Sequence, residues 1–274
     1  MIKRMGLIAL SCALCGLSAF GDDNGCGALP SQSQLKAALA AATTAEGSGL
    51  NENMWGTIVD RDGIVCAVAF TGTNRGSQWP GSRVISAQKA NTANSFSLDP
   101  SAVSGGNGFV LALSTANLYS AVQPGGSLFG LQESNPVDTG VAYQGPSSRF
   151  GQSNDPMVGS KIGGVNVFGG GLALYNDSHQ IVGAIGVSGD TSCADHNIAW
   201  RTRNNLALDH MGSPAVVIPG PASLFNNDAA HPDNIIYDIA ANPAGGTGIS
   251  PSGFGHPSCF NQTTDPKSLP PVRK

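Results

Sequence analysis

Cys193, Asp195 and His196 bring a thiol, a carboxylate and an imidazole close together in sequence. Such a set could ligate a metal or move protons. Its spacing argues otherwise, because positions i, i+2 and i+3 do not share one face of a helix. A disulfide, a helix cap and a surface histidine account for the three residues as well. Just upstream, Gly186-Val187-Ser188-Gly189 resembles a nucleophile elbow, but its second Gly arrives one residue early for G-x-S-x-G. Gly105-Gly106-Asn107-Gly108 and Gly169-Gly170-Gly171 are not dinucleotide fingerprints, since neither opens a helix after a strand. Walker A and H-E-x-x-H sequences do not occur. What the glycines do offer is close approach. Gly169, Gly170 and Gly171 can admit a ligand or a neighbouring backbone. Gly186, Ser188, Gly189 and Asp190 stand where a strand hands over to a helix, and backbone N–H groups there attract carboxylates. A turn and cap without a ligand uses the same residues. Arg83 and Lys89, a turn and a half apart on one helix, could meet such an anion or could form a salt-bridged face.

These residues need elements to position them. Leu35, Ala38, Leu39 and Ala42 recur at helical spacing, which predicts a helix from Ser31 to about Thr44, capped by Ser31 or Ser33. Strands are expected at Met54–Asp60 and Ile64–Phe70, joined by the turn Arg61-Asp62-Gly63. After a polar loop holding Arg75 and Trp79-Pro80-Gly81, an Ala-rich helix is predicted from Ser82 to Ser97. Residues 99–164 read as a long loop-rich insert with a helix near Thr115–Val122; such a segment is often functional. A second hairpin follows, Leu172–Tyr175 and Ile181–Val187, and then a helix from Ser192 to about Asp209. Ser192 and Asp195 have the spacing of a capping box. The Pro- and Gly-rich stretch 211–274 reads as a tail laid over the domain, with one strand-like segment at Asn234–Ile239.

Composition narrows the function classes. The chain has 274 residues with 41% hydrophobic and 12% charged, which excludes a disordered chain, and the 37 Gly and 17 Pro predict many turns. Lys3 and Arg4, the apolar run Leu7–Leu17 and Ala19-Phe20-Gly21 have the form of a secretory signal, so residues 1–21 are expected to be removed before Asp22. Without Lys3 and Arg4, 12 basic residues face 18 acidic ones, a formal charge of −6. No basic block invites nucleic acid, and no further stretch is long enough to span a membrane. Four cysteines remain after the signal. An even number in an oxidising compartment suggests two disulfides, and of three possible pairings Cys26–Cys66 and Cys193–Cys259 is favoured. The first would staple the new N-terminus to a core strand, the second the tail to a helix. The absence of a C-x-x-C pair among these four argues against a metal site.

Four motifs in order carry a resemblance. Val59-Asp60-Arg61-Asp62-Gly63 forms a hairpin turn, Ala87-Gln88-Lys89-Ala90-Asn91-Thr92-Ala93 a helix, and Val167-Phe168-Gly169-Gly170-Gly171-Leu172 the approach to a strand. Ile181-Val182-Gly183-Ala184-Ile185-Gly186-Val187-Ser188-Gly189 ends that hairpin. Together, over roughly Leu35–Asn205, they resemble the GlcG/HbpS family of haem-binding proteins. Gly170-Gly171-Leu172-Ala173 departs from that pattern, with Ala173 where the family carries Pro in Gly-Gly-x-Pro, as does Asp190 at the last Gly of its strand end. The insert and the tail are elaborations on it.

The resemblance implies an α/β (α+β) fold of profilin-like type: an antiparallel sheet flanked by helices over residues 22–210, here with a long insert and the irregular tail 211–274. It also implies a homo-oligomer and a haem or similar tetrapyrrole ligand, in an exported (periplasmic or extracellular) protein acting in uptake, buffering or sensing. The ligand would lie between the Ala87–Ala93 helix and the turns at Gly169–Gly171 and Gly186–Asp190, its propionates near Arg83 and Lys89. Among five histidines, His196 is the expected axial ligand to the iron, because it opens the helix that follows those turns. A small organic acid or other small molecule in the same cleft is the alternative, bound or turned over. No nucleophile–base pair is legible, which favours a binding protein over an enzyme.

Overall fold

The computed structural model describes residues 25–99, 111–211, 228–246 and 248–274. The expected signal, residues 1–21, lies outside them. Helix α1 (Gln32–Thr44) opens on Ser31, whose hydroxyl and backbone exchange hydrogen bonds with Gln34 in a capping box, and it buries Leu35, Ala38, Leu39 and Ala42. Strands β1 (Trp55–Asp60) and β2 (Val65–Phe70) pair antiparallel. Their turn needs Gly63, at φ +78°. The Asp60 carboxylate fixes it by accepting from the N–H groups of Asp62 and Ile64. Helix α2 (Ser82–Ser95), the one-turn helix α3 (Thr139–Ala142) in the insert, strands β3 (Gly171–Tyr175) and β4 (Ile181–Ser188), and helix α4 (Ser192–Asn205) follow.

The four strands form one antiparallel sheet in the order β2-β1-β4-β3, so the two hairpins meet along β1 and β4, with Ile58 opposite Ile185. Every residue of β1 and β3 is buried. One core cluster joins Leu35 and Leu39 of α1 and Ile198 and Trp200 of α4 to Ile58, Leu172 and Ile185 of the sheet. The other joins Val84, Ala87, Ala90 and Ala93 of α2 and Met157 and Ile162 of the insert to Val59, Val65, Val68 and Ala184. The sheet is thus the middle layer of three, as the expected α+β architecture requires.

Both disulfides form with the expected pairing, Cys26–Cys66 and Cys193–Cys259, with Cα separations of 5.2 and 5.9 Å. Four local expectations are corrected. Thr191, not Ser192, caps α4, its hydroxyl accepting from the Ala194 N–H, and Asp195 turns away from the cap. Helix α4 ends at Asn205 rather than Asp209, because Ala207 takes φ +54° and the Leu208 carbonyl goes to the Tyr175 N–H beside β3. The helix expected at Thr115–Val122 is two 3-10 turns, Thr115–Leu118 and Ser120–Val122. Asn234–Ile239 forms no strand; its carbonyls are taken singly, Asn234 by the Asn117 side chain and Ile236 by the His256 N–H.

Candidate functional site

Lys89 is buried at the junction of α2, β4 and α4. Its Nζ donates to Asp195 Oδ2 at 2.7 Å and to the Val187 carbonyl at 3.0 Å, and lies 4.8 Å from the Phe168 ring centroid. Asp195 Oδ1 accepts from the N–H groups of Gly189 and Asp190 at 3.0 and 2.9 Å. The handover from strand to helix is therefore an anion site, as the glycines suggest, and the chain fills it with its own carboxylate. Burial pushes Asp195 up to about 6, against the pull of Lys89, and lowers Lys89, against the pull of Asp195. The carboxylate is held by three donors, the Lys89 ammonium group and the Gly189 and Asp190 N–H groups. Asp190 accepts from the N–H groups of Leu50 and Glu52 and ties the chain before β1 to the same turn.

The glycines admit neighbouring backbone. A Cβ on Gly186 would lie 1.9 Å from the Ser86 carbonyl oxygen, and one on Gly171 would lie 2.5 Å from that of Lys89. At Gly169 the neighbour is the Ser192 carbonyl, at Gly170 the Val187 carbonyl and at Gly189 the Asn53 carbonyl. Ser188, opposite Trp55 in the ladder, is buried. Helix α2 is thus seated directly on β4, and the space that the sequence assigns to a ligand between them is occupied by the chain itself. His196 is fully buried under the tail. Its Nε2 lies 3.1 Å from Asn234 Oδ1 and 3.2 Å from the Ile235 nitrogen. Its Nδ1 finds no hydrogen-bond partner among the described residues. Burial lowers its pKa to about 3, so the ring is neutral.

Arg83 points the other way, into the insert. Its guanidinium pairs with both oxygens of Asp155, donates to the Ala142 carbonyl at 2.8 Å and stacks 3.7 Å from the Phe150 ring centroid. Asp155 also accepts from the N–H groups of Gly151 and Met157. This bidentate pair fixes the insert on α2. Above it opens a cavity of about 390 Å³, floored by Trp55, Val84 and Phe150 and edged by Pro80, Arg75 and Tyr143. Arg75 and Tyr143 are exposed, so the mouth presents a cation and a phenol over an apolar floor. That is the usual composition of a small-molecule site: apolar walls with a few placed polar groups. The arrangement suits a flat apolar ligand with an anionic edge.

Of the residues singled out in the sequence, Lys89, Gly169, Gly170, Gly171, Gly186, Ser188, Gly189, Asp190 and His196 gather at the α2–β4–α4 junction, and Arg83 alone reaches the cavity. Trp55 falls in an expected strand and Phe150 in the loop-rich insert. Nothing local distinguishes a core aromatic from one that floors a pocket; the Arg75 loop and the long insert were the legible signals.

A family profile described as haem degrading protein HbpS-like matches residues 31–203. Among solved structures, the chain is similar to the Klebsiella pneumoniae protein ORFY of the DUF336 family, at 26% identity over 64% of this chain and 86% of that one, with a TM-score of 0.41. It is similar to a PduOC:heme complex at 21% identity over 63% and 89%, also at 0.41. It is similar to a double mutant of Streptomyces reticuli HbpS at 16% identity over 75% and 95%, at 0.39. The search of curated proteins finds no match.

Proposed function

The chain belongs to the HbpS-like family of haem-degrading proteins, and from that premise we propose that it binds haem in the half-open cavity between α2, the loop before it and the insert. The cavity itself carries the assignment. It is an apolar slot, and of the side-chain types that serve as axial ligands only Tyr is found among its lining residues. Trp55, Val84 and Phe150 would face the macrocycle, Arg75 would pair with a propionate, and the Tyr143 hydroxyl would face the iron. When bound, haem supplies an iron centre for redox and ligand-exchange chemistry. The chain's own contribution is to hold that slot rigid through the Arg83–Asp155 pair.

The same reading places the protein outside the cytoplasm after loss of residues 1–21, as a homo-oligomer that takes up, buffers or senses haem. Two disulfides support it. No helix among the described residues is long and apolar enough to cross a membrane. One observation favours the junction instead, with Lys89 and His196 as ligand residues: the unsatisfied Nδ1 of His196. Titrating purified protein with haemin separates the two. Tyr143→Phe should shift the Soret band and Arg75→Ala should weaken binding, while His196→Ala should leave the spectrum alone. A shift in His196→Ala alone would transfer the site to the junction. No response to haemin at all would leave a small organic acid as the ligand of the cavity.

A further inference from the structure

Cys193, Cys259 and His256 each bring one ligating atom to a common point, all three atoms within 4.8 Å of one another. Cys193 sits in the first turn of α4, and Cys259 and His256 come from the tail. In the oxidised chain the two sulfurs are bonded to each other. The histidine beside them is already arranged as a metal ligand. Its Nδ1 lies 2.7 Å from the Pro257 carbonyl, which can only accept, so the proton resides on Nδ1. Nε2 therefore carries the lone pair and accepts from the Ser192 hydroxyl at 3.1 Å. A ring N–H anchored on a backbone carbonyl is the outer-shell contact that orients metal-binding histidines. The sulfur of Cys259 accepts the Cys193 N–H at 3.2 Å, at the positive end of a fourteen-residue helix, which favours a thiolate there.

We infer that the reduced chain binds a thiophilic divalent cation, Zn²⁺, through Cys193 Sγ, Cys259 Sγ and His256 Nε2. A dithiol reductant would open the site: the protein S–S bond breaks, the dithiol closes to its cyclic disulfide, and its two hydrogens pass to the two cysteines. Zn²⁺ then replaces both thiol protons, which leave to solvent, as two Zn–S bonds form. The Ser192 hydroxyl, 3.5 Å from Cys259 Sγ, stands beside the fourth position. Two thiolates and an imidazole with one position left over is a recognised zinc donor set. The staple between α4 and the tail thus has two forms, a disulfide and a metal bridge. The other cysteine pair lacks this equipment. Its neighbour Asp60 already accepts from the N–H groups of Gly25, Asp62 and Ile64.

The test uses the full chain reduced with a water-soluble phosphine, which takes up the oxygen of water as the disulfide becomes two thiols. Co²⁺ serves as the spectroscopic probe and Zn²⁺ as the competitor, with circular dichroism run alongside. The expected result is one Co²⁺ per reduced, folded chain, with a thiolate-to-metal charge-transfer band that Zn²⁺ abolishes, and no band in the oxidised chain. His256→Ala should lower the affinity by at least ~10-fold, and the Cys26→Ser/Cys66→Ser variant should keep the band. The inference is overturned if the reduced chain gives no charge-transfer band or unfolds, or if His256→Ala binds as tightly as the parent. The His256 comparison holds in the parental background even if the double variant does not fold.

Discussion

Gly186→Ala tests how α2 is held on the sheet, and with it whether a ligand slot separates the two. The added Cβ would stand 1.9 Å from the Ser86 carbonyl oxygen and 2.5 Å from the Ala90 nitrogen, where ordinary contact begins near 3.4 Å. Both neighbours are helix backbone, so no side-chain rotation relieves the clash. Helix α2 must move away from β4 by about 1.5 Å, the difference between 3.4 and 1.9 Å. That displacement would also strain the Lys89–Asp195 pair at 2.7 Å, since Lys89 rides on the same turn. Overpacking in a well-filled core typically costs about 1–3 kcal/mol, and a backbone-to-backbone clash belongs at the upper end. For a domain of this size, about 3 kcal/mol lowers Tm by roughly 6–12 °C. Thermal unfolding followed by circular dichroism measures this, with Gly27→Ala as the control, since a Cβ there meets nothing within 4 Å. A Gly186→Ala variant that melts with the parent would mean that space exists between α2 and β4, and the packing argument would fail.

Two further outcomes follow from buried charge. Arg203 is wholly buried and pairs with Asp233 through contacts of 2.6 and 2.8 Å, tying α4 to the tail. Asp233→Ala should destabilise by about 3–5 kcal/mol in denaturant titration, because it strands the guanidinium; a loss under about 1 kcal/mol would show that solvent reaches Arg203. His196 is held at about 3 against an ordinary 6.5, so between those values the unfolded chain binds the additional proton. Its contribution is full above about 6.5 and is lost as pH falls toward 3, and the drop of about 3.5 pH units corresponds to roughly 5 kcal/mol. Asp195, raised to about 6, works in the opposite sense, its contribution being lost as pH rises from 3.8 to about 6. His196→Gln should flatten the acid limb of the stability curve. An unchanged limb would show that the imidazole is not kept neutral by burial.

Local chemistry in the sequence determined most of the elements. Ser31 and Gln34 set the start of α1, Asp60 and Gly63 set the first hairpin, and the apolar periods of 35–42, 55–60 and 181–187 set which residues are interior. The disulfide pairing was legible for a related reason: only a few pairings exist, and each favoured bridge ties a terminal segment to a regular element. Contacts between residues far apart in sequence were not legible, since no local signal encodes them. Which hairpin strands meet at the sheet centre is fixed by β1 lying against β4, across more than a hundred intervening residues. The glycines at 169–171 and 186–189 signal close approach, but only the packed structure shows that the approaching group is the backbone of α2, α4 or a neighbouring segment rather than a ligand. Arg83 and Lys89 share a helix and look alike in sequence, yet one turns to Asp155 in the insert and the other to Asp195 in α4. The open cavity follows from the same cause. Trp55 and Phe150 come from segments that meet only when the insert folds back on α2, and a pocket is a property of that meeting rather than of either segment.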